Sequence, residues 1–202
     1  DNSFKIASLS NFGWNRGTDQ LVPIAEALAR RGRRDVLFVV AGDMQLSRSL
    51  PGDLGVIGRR GGTLADYARQ RKVGDMFLFL GHVDCPETVL AASDALIKPT
   101  REANPWGRDI IEALAAAKPV LTVGSWDTFV STDETGVLQE QFDAEEMATH
   151  ITRMADNRAD SAAMGAAGRD RLACLCNGRD RADDLADVWC QAAKMQDPAA
   201  AP

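Results

Sequence analysis

The sequence predicts an α/β fold, a doubly wound parallel sheet with extra helices at its C-terminal end. Three observations carry that prediction. Short runs rich in Ile, Val, Leu and Phe recur without polar interruption, as strands buried on both faces require. Amphipathic stretches of helical period separate them, and strand followed by helix, repeated, means a parallel sheet covered on both sides. With 202 residues, 45% hydrophobic and 26% charged, the chain buries a core of its own, which excludes disordered, collagen-like and coiled-coil classes.

Strands are expected at Phe4 to Leu9, Asp35 to Ala41, Met76 to Leu80, Ala95 to Lys98, Pro119 to Val123 and Val137 to Leu138. The first helix runs from Asp19 to Arg31 with Leu21, Ile24, Ala25 and Leu28 on one stripe. Further helices fall at Leu64 to Arg71, Thr88 to Ala92 and Asp109 to Ala117. Between Asp43 and Gly62, Pro51 and the closely spaced Gly52, Gly55, Gly58, Gly61 and Gly62 read as a mobile loop around one short strand, Leu54 to Ile57. The final third is helical and Ala-rich at Ala144 to Ala155, Asp160 to Cys174 and Arg181 to Lys194, packing over the sheet or against another body. Residues 197–202 read as a loose tail.

A net charge of −6 argues against a surface-wide attraction for nucleic acid and leaves room for a local basic site. No apolar stretch approaches the ~20 residues that span a bilayer. Four unevenly spaced cysteines, Cys85, Cys174, Cys176 and Cys190, do not form a disulfide framework and read as reduced thiols of a cytoplasmic protein. The Cys174/Cys176 spacing lacks a second matching pair, so no metal site is expected. His150 reads as structural, and Arg30, Arg31, Arg33 and Arg34 complement the dipole at the end of the first helix. An anionic surface, phospholipid included, is the alternative use of that cluster, so membrane contact is possible but not indicated.

Ligands of open parallel sheets bind at loops leaving the carboxyl ends of the strands. The loop after the first strand, Ser10 to Thr18, contains Gly13, Arg16 and Gly17 and opens a helix, an arrangement that suits an anion. It fits neither GxGxxG nor the GxxxxGKS loop. The loop after the fourth strand, Lys98 to Arg108, turns through Pro99, Pro105 and Gly107 into a helix carrying Glu112. N–H groups around Gly107 and Arg108 suit a diphosphate, and Glu112, one turn deeper, suits a vicinal diol.

These loops in this order resemble the C-terminal, nucleotide-sugar-binding half of family-4 (group 1) retaining glycosyltransferases, of GT-B, Rossmann-like architecture. The matching pieces are Arg16 and Gly17 with Leu21, the strand ending Val40, Ala41 and Gly42, FLGHV at 79–83, ASDALIKP at 92–99, WGRDIIEALAAAKPV at 106–120 and TGVL at 135–138. They cover the chain from Phe4 to about Ala155. The resemblance implies a nucleotide-sugar-binding domain at 1–196, with an acceptor-binding N-terminal domain absent from this chain. The start at Asp1 then reads as a cut near a domain boundary. Implied diphosphate-binding residues are Gly13, Arg16, Trp106, Gly107 and Arg108, with Glu112 on the ribose and His82 and Val83 against the base. His82 is otherwise a candidate acid/base group.

Three departures stand out. Ser10 occupies the position of a family Arg, for which Arg108 or Lys98 would compensate. The loop is one residue longer than usual before Gly107, so the sugar-contacting residue of the catalytic site is Glu102 or Asn104. Ala117 also stands where a Gly ends the helix, which predicts a cap of another shape. The implied activity is hexosyl transfer with retention from a UDP- or GDP-sugar, without a metal or other cofactor, to a glycan, lipid or small-molecule acceptor, and little transfer by these residues alone. The alternatives are a sugar-nucleotide epimerase or a non-catalytic nucleotide-sugar-binding module.

Overall fold

The computed structural model describes residues 2–195. Six strands, β1 (Phe4–Leu9), β2 (Val36–Ala41), β3 (Phe77–Gly81), β4 (Ala95–Lys98), β5 (Val120–Val123) and β6 (Gly136–Gln139), form one parallel sheet in the order β3-β2-β1-β4-β5-β6. Alternate residues of the strands serve two separate cores. Phe4, Ile6, Phe38, Val40, Ile97 and Leu121 face helices α1 (Leu21–Arg30), α2 (Gly52–Arg59), α3 (Leu64–Gln70) and α6 (Ala144–Asp156). Ala7, Val39, Leu96 and Val120 face α4 (Pro86–Ala91), α5 (Arg108–Ala115) and α7 (Arg158–Leu175). Burial of both faces explains the apolar runs of β1, β2, β4 and β5, whereas β3 at the sheet edge leaves Leu78 and Leu80 exposed, and the expected doubly wound sheet is what the chain forms.

The chain leaves β1 toward β2 and β3 on one side, then returns to β4, β5 and β6 on the other. Strand order therefore reverses between β1 and β4, which pair only at Ile6↔Ala95 and Ala7↔Leu96. Beyond those pairs the two strands diverge and a crevice opens at their carboxyl ends.

Residues 43–62 correct the sequence expectation. In place of a loop around a strand at Leu54 to Ile57, the segment forms α2, which buries Leu54 and Ile57. Its glycines are packing contacts: a Cβ on Gly55 would stand 1.9 Å from the Leu50 carbonyl oxygen, and one on Gly58 would stand 2.4 Å from that of Ser47. Their lack of side chains lets the preceding turn lie directly on the helix.

The end of α5 corrects a second expectation. Ala117 keeps the left-handed conformation, φ 53°, and the cap keeps its Schellman shape, with Ala117 N–H donating to Leu114 O and Lys118 N–H to Ala113 O, both at 2.9 Å. Helix α7 covers this corner through Gly165, where a Cβ would meet the Ala117 oxygen at 2.0 Å.

The arginines after α1 are engaged internally. Arg30 and Arg31 bind Glu145 of α6, Arg33 binds Asp35 and Asp156, and Arg34 binds Asp75. Arg30, Arg31 and Arg33 thus tie the end of α1 to α6. Helix α8 (Gly178–Met195) is exposed at residues 178–193, whereas α6 packs against α1 and α7 against α5 and β6. The tail expected at 197–202 lies outside the described residues. No described helix is long and apolar enough to cross a membrane.

Candidate functional site

A cavity of about 500 Å³ occupies the crevice between β1 and β4. Its floor is Ser8, Leu9, Ile97 and Lys98, and its walls come from loops leaving β1, β2, β3 and β4. The β1 loop is tied to the end of β2: Ser10 N–H donates to Ala41 O at 3.0 Å, and Asp43 N–H donates to Asn11 Oδ1 at 2.9 Å. The loop then turns tightly, with Arg16 N–H on Gly13 O at 3.0 Å and Gly17 at φ 69°. The Arg16 guanidinium reaches back along this turn and donates to Ser10 Oγ at 2.8 Å. The cation on this wall therefore lies beside Ser10.

The β4 loop rests on the β1 loop along a closely fitted seam. Gln20 Nε2 donates to Pro99 O at 2.5 Å, and Thr100 Oγ1 donates to Asn15 O at 3.2 Å. Asn15 Nδ2 in turn donates to Glu102 Oε1 at 2.8 Å, so the β1 loop orients this carboxylate. A Cβ on Gly17 would stand 1.8 Å from Pro99 O, so only glycine fits there without separating the loops.

The far wall is the start of α5, capped at Gly107. Lys98 Nζ donates to Trp106 O at 2.8 Å and contacts Asp109 Oδ1 at 3.1 Å, fixing the helix start over the cavity floor. Arg108 pairs loosely with Glu112 at 3.4 Å, and its side chain is 89% exposed. That contact contributes little, so either group can exchange its partner for a ligand at small cost. On the β3 side, His82 lies 3.4 Å from Asp84, and Gly81 O accepts from Gly42 N–H at 2.7 Å.

Eight of the ten residues expected from the sequence, Glu102, Asn104, Arg16, Gly107, Arg108, Glu112, His82 and Val83, line this one cavity. Gly13 and Trp106 do not: Gly13 supplies the carbonyl of the turn, and half-exposed Trp106 supplies the carbonyl that holds Lys98. Lys98, a candidate replacement for the missing arginine, is instead committed to Asp109. Sequence reasoning gives no ligand-site role to Thr18, Asn11 or Asp109, which line the cavity, or to Asn15, which holds Glu102. Their only signal is membership of the two strand-end loops. Among the described residues no group of three or more His, Cys, Asp or Glu is placed to ligate a metal, and the four cysteines are exposed and unbonded. His150 lies on α6, 3.9 Å from Glu146, away from the cavity.

Residues 1–171 match the family described as glycosyl transferases group 1. None of the curated proteins compared matches the sequence significantly. Among solved structures, HepE from Anabaena in complex with UDP-glucose superimposes with a TM-score of 0.72 at 20% identity, over 92% of this chain and 49% of that one. Sucrose-phosphate synthase from Thermosynechococcus elongatus gives 0.72 at 24% identity, over 94% and 45%. TarM from S. aureus, in complex with fondaparinux, α-GlcNAc-glycerol and UDP, gives 0.70 at 17% identity, over 86% and 32%. These likenesses show the fold, and the chain spans between a third and a half of the length of the structures it resembles.

Proposed function

This chain belongs to the group 1 glycosyl transferases, and on that premise we propose that the β1/β4 cavity holds a nucleoside-diphosphate sugar whose hexosyl group passes, with retention, to an acceptor carried by a further domain. The observation that carries the reading is the convergence of Arg16, the α5 start at Gly107 and Glu112 on one cavity at the reversal of strand order. The diphosphate lies between the Arg16 guanidinium and the N–H groups at the start of α5, with Arg108 swinging in from its loose pair. Negative charge that develops on the leaving phosphate is stabilised there by groups already in place. Glu112, one helical turn beyond Gly107, accepts the ribose hydroxyls, and the base lies against His82 and Val83. Glu102, oriented by Asn15, and Asn104 contact the sugar. No side chain in this reading acts as a nucleophile; the acceptor hydroxyl attacks from the face that the phosphate leaves, the anomeric C–O bond to the phosphate breaks, and the hydroxyl proton passes to the departing phosphate oxygen.

The neighbour with UDP-glucose and the neighbour with UDP, fondaparinux and α-GlcNAc-glycerol support a nucleotide-sugar donor and a glycan acceptor. The four unbonded cysteines accord with a reducing, cytoplasmic compartment. Thermal-shift titration with UDP, GDP, ADP and their sugars tests the donor site. A ligand at about 100 times its Kd stabilises the chain by about 2.7 kcal/mol, and Glu112→Ala abolishes the shift. No shift with any nucleotide, or an equal shift in Glu112→Ala, overturns the assignment. Conversion of the donor sugar with no acceptor present would favour an epimerase instead.

A further inference from the structure

Behind the cavity wall, outside its lining, Arg101 makes a set of contacts that the donor reading does not use. Its guanidinium holds Asp19 with both terminal nitrogens, Nη1 to Oδ1 at 2.7 Å and Nη2 to Oδ2 at 2.6 Å. Nη1 also donates to Trp14 O at 2.8 Å, and the guanidinium carbon lies 3.7 Å from the centroid of the Trp14 ring. The Arg101 N–H donates to Asn15 O at 2.9 Å. These partners, at positions 14, 15 and 19, bracket Arg16 on both sides along the β1 loop. Arg101 itself immediately precedes Glu102 on the β4 loop.

We propose that Arg101 is a positioning residue: clamped between Asp19 and the Trp14 ring, it locks the loop that carries Arg16 to the loop that carries Glu102, and so sets the affinity of the cavity for a diphosphate it does not touch. The proposal rests on the donor reading above. Three features of the residue types support it. Asp19 is 7% exposed, and a carboxylate so buried needs its partner in good geometry. A planar guanidinium bonds a carboxylate bidentately while stacking on an indole, a combination that lysine cannot reproduce. The packing of α1 on the sheet is supplied separately by Leu21, Ile24 and Leu28, all fully buried, so the ion pair fixes the loops and not the helix.

The test uses the full chain, isothermal titration with sodium pyrophosphate and with UDP, and a double-mutant cycle. Arg16→Met removes the anion contact. Asp19→Asn/Arg101→Met removes the clamp without stranding a buried charge. Each change alone is expected to weaken pyrophosphate by about tenfold, and combining them costs little more than either, because Arg16 no longer faces the diphosphate once the clamp is gone. The urea midpoint of the clamp variant reports folding independently. Arg101→Lys, which keeps the charge and loses the fork, is expected to fold and still weaken pyrophosphate severalfold. Unchanged pyrophosphate affinity in both clamp variants, or an equal Arg16→Met penalty with and without the clamp, overturns the proposal alone. Failure of the unmodified chain to bind either pyrophosphate or UDP overturns the donor reading and the proposal with it.

Discussion

Replacing Gly17 with alanine puts a methyl group where the seam between the two loops has no space. The new Cβ would lie 1.8 Å from Pro99 O, 2.9 Å from Pro99 C and 2.9 Å from Gln20 Nε2. Real Cβ contacts essentially never fall under 3.0 Å, so the loops must part by more than about 1 Å. That movement breaks the buried Gln20 to Pro99 hydrogen bond, now 2.5 Å long, and leaves two polar groups unpaired at a cost of about 1–3 kcal/mol. Left-handed strain at φ 69° adds about 1–2 kcal/mol for any L side chain. The expected loss is about 3 kcal/mol in all. Gly32→Ala isolates the second contribution, because Gly32 has φ 74° and no atom lies within 4 Å of where its Cβ would stand. Urea unfolding of both variants, with m held common, should therefore separate them by about 1–3 kcal/mol. Equal losses in the two variants would refute the argument, since the seam would then yield at no cost.

Ala117→Gly should stabilise the chain by about 0.5–1 kcal/mol in the same assay, since relief of left-handed strain exceeds the extra backbone freedom of glycine when unfolded. Acid should destabilise the fold through three carboxyl groups held below the usual range: Asp35 by its bond from Arg33, Asp66 chiefly by the Thr63 N–H, and Glu145 by Arg30 and then Arg31. A carboxyl lowered in the folded state contributes stability that is fully present above its unfolded value near pH 4 and disappears as pH falls through the folded value. The urea midpoint should thus hold from pH 7 to about pH 5 and decline below about pH 4, less steeply in Asp66→Asn, which has already lost its share.

The strands are readable because burial on both faces leaves a continuous apolar run such as Val36 to Ala41. Helix α2 is not, because Gly55 and Gly58 look like breakers in one dimension, and only the approach of the Leu50 and Ser47 carbonyls reveals them as contacts. The same division holds at the site. The placement of Arg16 and Glu112 on the cavity is legible because one lies in the loop after a buried strand and the other one turn into the helix after another. Arg101 and Asp19 are 82 positions apart, and no periodic pattern joins them. The partners of the basic cluster after α1, Asp75, Glu145 and Asp156, are hidden for the same reason, since they lie far along the chain. Ala117 misleads for another: tertiary packing of Gly165 against the cap outweighs a local preference for glycine.

The parting of β1 and β4 beyond Ala7 and Leu96 has a consequence for how such a protein can change over generations. The hollow exists because two strands with neighbours on opposite sides run apart, and no single substitution can delete that. Exposed side chains on the loops above, such as Arg108 with its 89% exposure, can be exchanged without touching that divergence. A descendant with different loops would still inherit a hollow in this place, ready for the chemistry of another ligand.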